Sequence, residues 1–130
     1  MEEPWLSWML LVARVCLASV YFVSAVQKTL YFPISVKAFR AVGVPFAHTS
    51  VVLTVILHFV GSIGMFSGTY VEECAIALAL FTVVATLIVH DFWNLEGQER
   101  MADQRIFLAH FGVIGGLLMV VAVGPGAIVF

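Results

Sequence analysis

Four apolar stretches, each close to the length of a bilayer-spanning helix, constrain this chain more than any other feature. They run from about Trp5 to Val26, Phe46 to Phe66, Cys74 to Trp93 and Ile106 to Val123. A helix needs roughly 20 residues to cross about 30 Å of hydrocarbon. In lipid every backbone amide must find its partner within the protein, so only helices or a closed barrel can span. Barrel strands alternate with period two, and these stretches do not. Composition agrees: 62% of the 130 residues are hydrophobic and 11% charged, against about half and about a quarter in soluble domains. In water such a chain would present large apolar patches, which monomers avoid. The sequence therefore predicts an all-α fold: one domain over residues 1–130, an integral membrane bundle of four transmembrane helices in a lipid bilayer.

The connections add detail. Between the first two stretches lies YFPISVKAFRAVGVP, with Pro33 and Pro45 bracketing a segment in which Val36, Phe39 and Val42 recur at helical spacing. Lys37 and Arg40 fall on another face, so the segment predicts a short amphipathic helix in the interface. The second connection, SGTYVEE, is short and makes a tight helical hairpin; the third, NLEGQERMADQR, is polar and exposed to water. Gly124, Pro125 and Gly126 end the last helix.

Lys28, Lys37, Arg40, Arg100 and Arg105 all flank or fill the first and third connections. The positive-inside rule then places those two connections in the cytoplasm and both termini outside. Trp5, Trp8, Tyr21, Tyr31, Tyr70 and Trp93 mark helix ends as an aromatic belt does. Glu2 and Glu3 stand where a signal peptide carries basic residues, so no cleavable signal is expected. With a net charge of -2 there is no polybasic surface for nucleic acid. Cys16 and Cys74 fall at different depths and form neither a metal spacing nor an expected disulfide.

Small residues mark helix contacts: Gly61, Gly64 and Gly68 in the second helix, Gly112 and Gly116 as a GxxxG pair in the fourth. They let backbones approach closely, the main route to association in lipid. The same faces offer a docking surface for another subunit or a second copy.

The chemistry rests on polar residues within the spans. Arg14 lies about 13 Å along the first helix from Trp5, and His58 about 18 Å along the second from Phe46, so the two could share a depth. A cation there faces the bundle interior, a partner or a water-filled cavity. No carboxylate lies within any span at that depth. Arg14 therefore needs carbonyl groups, water, lipid, another subunit or a ligand. His58 as a neutral imidazole can donate to a carbonyl oxygen such as that of a quinone, or be satisfied by neighbouring hydroxyls of Thr54 and Ser62. His90 and Asp91 end the third helix and His110 begins the fourth; histidines can carry protons near neutral pH. Their spacing is no metal signature, and no metal site is expected. Arg14, His58, His90, Asp91 and His110 are thus the candidate ligand residues. The sequence contains no nucleophile elbow, P-loop, dinucleotide fingerprint or HExxH.

These features resemble the DoxX family of small bacterial membrane proteins. The resemblance is carried by Arg14, by SAVQK at Ser24 to Lys28, by GVP at Gly43 to Pro45, by HFVGSIGMFSG in the second helix and by FLAHFGVIGGLLMVVAVGPG at the end. The chain departs from the family pattern at two positions. His58 stands where a glutamate is usual, and His110 where an asparagine is common. The resemblance implies a multi-pass protein of the bacterial inner membrane that serves as a small subunit or anchor of a redox complex, with quinone as the implied cofactor. An oxidoreductase subunit acting on quinone itself, or a small transporter, are the alternatives. No central proline breaks any span, as transporter helices often require.

Overall fold

The computed structural model describes residues 3–130. Its helices are α1 (Pro4–Leu30), α2 (Phe32–Ala41), α3 (Ala47–Ser67), α4 (Val71–Val89) and α5 (Gly97–Val123), with a single 3-10 turn at Phe92–Asn94. No strand occurs among the described residues. Four of the helices are long and apolar enough to cross a membrane. The protein is a four-helix membrane bundle with α2 as a short outrigger.

The inside and outside of this bundle are arranged as lipid demands. Large apolar side chains such as Met9, Leu53, Val60, Leu80 and Met119 are exposed along the spans, where they meet acyl chains at no cost. The interior is built from small and polar residues instead. Ala18, Ala25, Ala75, Ser62, Thr54 and Thr86 are buried, with Met65, Leu78 and Leu117 filling the gaps between them. Helices that lack a hydrophobic drive to associate gain from close approach. α1 packs most extensively along α3, and α4 along α5.

Glycines show where approach is closest. A Cβ at Gly61 would lie 2.9 Å from Leu78 of α4, and one at Gly116 would lie 3.0 Å from Leu17 of α1. Gly64 lies against the Cys74 sulfur. Gly112 meets nothing within 4 Å. The GxxxG pair of the last helix is thus divided: Gly116 serves the α1–α5 contact and Gly112 points outward.

The connections differ from the sequence reading in three respects. Pro33 lies within the first turn of α2 rather than before it, a position where its missing N–H costs nothing. α2 also does more than float in the interface: its Val36 is buried against Ala47 and Val51 of α3. The polar third connection is exposed, yet it is helical from Gly97 onward, so α5 begins nine residues before its apolar stretch at Ile106. Gln98, Glu99, Arg100, Met101 and Ala102 are all good helix formers, and the helix continues into water on that preference. Among the aromatic residues, Tyr21 is no belt residue. It is 4% exposed in the centre of the bundle.

At the other end, Gly68 (φ 83°) and Tyr70 (φ 51°) make the tight α3–α4 hairpin, and Glu72 and Glu73 lie in the first turn of α4, where the helix dipole favours anions. The start of α1, this hairpin and the chain after α5 all lie at one end of the bundle. α2 and the α4–α5 connection lie at the other.

Candidate ligand cavity

Polar side chains within the spans fall into two groups, one at each end. At the hairpin end, the chain beyond α5 folds back between α1 and α3. Arg14 is fully buried there. Its Nη1 donates to the Pro125 carbonyl and its Nη2 to the Ile128 carbonyl, both at 2.8 Å. The Phe130 amide donates to the Ser67 carbonyl at 2.7 Å. Gly126 lies against Leu10 and Gly68 against the Arg14 guanidinium. The partner that Arg14 needs is therefore the backbone of residues 125–128, which turns away from helical geometry at Gly124 and leaves its carbonyls free. Among the described residues, the Arg14 Nε has no partner.

Arg14 and His58 do not share a depth. α1 and α3 run antiparallel, so Arg14 lies beside Gly68 whereas His58 lies beside Tyr21. Ten residues of α3 separate Gly68 from His58, about 15 Å along the axis.

His58 is 3% exposed, and among the described residues neither Nδ1 nor Nε2 has a hydrogen-bond partner. Its ring is held edge-on between Tyr21 and Phe81, with centroids 5.1 and 4.7 Å away. The neighbouring hydroxyls do not serve it: Thr54 donates to the Ser50 carbonyl and Ser62 to the Phe59 carbonyl. Tyr21 is committed as well, to Thr82, whose own hydroxyl donates to the Leu78 carbonyl. A buried polar group without a partner costs about 1–3 kcal/mol, so His58 is an exception that calls for an explanation.

The space it faces supplies one. His58 lines a half-open cavity of about 330 Å³, together with Tyr21, Ser24 and Lys28 of α1, Thr82 of α4 and His110 of α5. Phe39, Phe81, Val89 and Val113 complete its largely apolar wall. Small-molecule sites of this type have apolar walls with a few convergent polar groups. Lys28 was legible only as a loop cation, but it belongs to the last turn of α1. Tyr21, Ser24 and Lys28 follow one another at i, i+3 and i+7, which places them on one helical face. That polar stripe is the signal in the sequence that marks them.

Of the remaining candidates, His110 lines the cavity and His90 and Asp91 lie beyond it. The His110 Nδ1 is 2.7 Å from the Thr86 hydroxyl, and its ring meets that of His90 edge to face at 5.0 Å. His90 is paired through Nδ1 with Asp103 at 2.7 Å. Asp91 instead accepts from Asn94. Of the five residues singled out in the sequence, the cavity brings together His58 and His110. Arg14, His90 and Asp91 lie outside its lining, and Lys28, Ser24 and Tyr21 join it.

Comparison with known proteins places this arrangement in a family. The chain is 22% identical over 120 residues to the inner membrane protein YphA of Escherichia coli (strain K12), covering 92% of this chain and 86% of that protein. No solved structure matches it. The DoxX family profile matches residues 9–91, from α1 through the end of α4. The stretch FLAHFGVIGGLLMVVAVGPG, with His110 and the fold-back segment, lies beyond that span. The profile takes in Arg14, the SAVQK segment and His58, and it covers more than half of the sequence: the chain belongs to the DoxX family.

Proposed function

We propose that this protein is a small membrane subunit that holds the head group of a lipid-soluble quinone for a membrane redox complex, with His58 as the group that contacts a quinone carbonyl. The observation that carries this reading is the unpartnered, buried imidazole of His58 facing a half-open cavity. A neutral imidazole has one donor and one acceptor, which suits a carbonyl in one redox state and a hydroxyl in the other. The apolar wall suits a ring, and the half-open shape leaves an exit for a long tail. Four helices with short connections leave little room for a complete electron-transfer chain, which favours a subunit or anchor over an independent enzyme. By its likeness to YphA the protein resides in the inner membrane. By the positive-inside rule, the basic residues of α2 and of the α4–α5 connection favour an orientation with that end in the cytoplasm and both termini outside.

The test is native mass spectrometry of the protein released gently from its own membrane, followed by quinone extraction. The expected result is a bound quinone in the natural protein and none in His58→Leu, together with a heavier assembly containing a dehydrogenase or sulfur enzyme. A protein that carries no quinone, and takes up none when reconstituted with it, overturns the ligand reading. A chain found alone or only with its own copies overturns the subunit reading.

A further inference from the structure

The charge of the cavity goes further than its shape. No carboxylate lines it among the described residues, and the ion pair between His90 and Asp103 lies outside it. Lys28 lines it, half-buried, with its Nζ donating to the Ser24 hydroxyl at 2.5 Å. An ammonium has three donors and no acceptor, so two N–H groups remain for whatever occupies the space. Across the cavity His58 offers one further donor and one acceptor. The Tyr21 and Thr82 hydroxyls are already engaged with each other and with the Leu78 carbonyl. The polar groups facing the cavity thus offer more donors than acceptors, and they carry a positive charge. That charge acts through an apolar wall in which electrostatic interactions are stronger than in water. The Lys28 ammonium folds back onto Ser24, about one helical turn from Tyr21, the neighbour of the His58 ring, so the ammonium and the imidazole can address different sides of one bound ring.

Resting on the quinone reading above, we infer that this cavity selects an anionic head group: a ring-bearing amphiphile whose ionised oxygen is held by Lys28 while His58 contacts the far side of the ring. A charge-assisted hydrogen bond is about twice as strong as a neutral one, and the neutral form of the same ring would leave the ammonium uncompensated.

The experiment uses the full chain in nanodiscs of zwitterionic lipid and three probes with the same alkyl tail: a hydroxynaphthoquinone, which is ionised at neutral pH; its methoxy analogue, which is not; and a fatty acid. The expected result is binding of the ionised quinone roughly tenfold or more tighter than the methoxy analogue. Lys28→Gln abolishes that preference, and Lys28→Arg, which keeps the charge, retains it. Equal affinity of the two quinones in the natural protein overturns the inference and leaves the quinone reading standing, provided His58→Leu weakens both. Failure of both quinones to bind overturns the quinone reading itself. Binding of the fatty acid as tight as that of the ionised quinone overturns the choice of a ring-bearing ligand and assigns the site to an anionic lipid.

Discussion

α1 carries two cations fourteen residues apart, about 21 Å along its axis, and their surroundings differ completely. Arg14, at the hairpin end, is sealed from solvent and donates to two backbone carbonyls. Lys28, at the opposite end, is half-buried, has one serine for a partner and opens onto a cavity beside an imidazole with none. A charge within a membrane must be compensated wherever it lies. Where the protein provides the compensation, the charge is part of the fold. Where the protein withholds it, a ligand is the natural complement. On the proposal above, the two ends of one helix separate a cation that holds the fold from one that meets a ligand, and substitutions at each end should change stability with different signs.

The largest effect is expected for Arg14→Met. The side chain keeps its length and apolar stem, but residues 124–130 lose both hydrogen bonds to the guanidinium and keep only the Phe130–Ser67 backbone bond among those described. Hydrogen bonds to a charged group contribute about 1.5–3 kcal/mol each, and removing a desolvated cation returns part of that, so a net loss of about 3 kcal/mol is expected. Thermal unfolding in detergent should show a lowered midpoint, and carboxypeptidase should digest the end of the chain faster than in the natural protein. Quinone binding at the other end should survive in the molecules that remain folded. Loss of binding with an unchanged midpoint would erase the distinction between the two cations.

Gly68→Ala tests the same end with a smaller change. Its φ of 83° is costly for any side chain, and an added Cβ would lie 2.8 Å from the Arg14 Nη1. Left-handed geometry alone costs about 1–2 kcal/mol. A loss of about 2 kcal/mol is expected, read as a lowered midpoint with the end of the chain again more open to carboxypeptidase.

At the cavity the sign reverses. His58→Leu removes a buried polar group that no part of the protein satisfies, and replaces it with an apolar side chain facing an apolar wall. Such an exchange can be stabilising, and a gain of about 1 kcal/mol in unfolding free energy is expected together with loss of quinone binding. A destabilised His58→Leu that still binds quinone would make His58 a packing residue.

The sequence revealed this architecture unevenly, for physical reasons. The four spans were legible because hydropathy over about 20 residues has one solution in lipid, and α2 because its apolar residues recur at helical spacing. The extension of α5 from Gly97 to Arg105 was not, since a polar helix in water leaves no apolar pattern to read. The partner of Arg14 was out of reach for a deeper reason: carbonyl oxygens belong to every residue, so nothing in the side chains of Pro125 or Ile128 announces an acceptor. Depth was misjudged for Arg14 and His58 because counting from two different helix starts ignores how the helices are offset. Asp91 was a candidate by its place beside His90 at the end of a span, whereas the packing of α4 on α5 brings Asp103, from the polar start of α5, to His90. Lys28 was visible as a cation, and only the i, i+3, i+7 stripe with Tyr21 and Ser24 tells that it faces inward.

The smallest expected effect lies at Gly112 and separates packing within the bundle from packing between molecules. Gly116→Ala must displace the tip of Leu17, 3.0 Å from the new carbon. Leucine tips move readily, so a loss of about 0.5–1 kcal/mol is expected, toward the low end for overpacking. Gly112→Ala meets nothing, and alanine is the better helix former by up to about 1 kcal/mol. In an isolated bundle Gly112→Ala should be neutral or slightly stabilising, and Gly116→Ala mildly destabilising. Both are read by thermal unfolding in detergent and, for the assembly, by mass in native membranes. If Gly112→Ala leaves the single chain unchanged but removes a heavier species, then a helix of another molecule packs on that face of α5. The two glycines of one GxxxG pair would then serve different contacts, one inside the bundle and one outside it. If neither substitution changes the assembly, the subunit contact proposed for this protein lies on a different face.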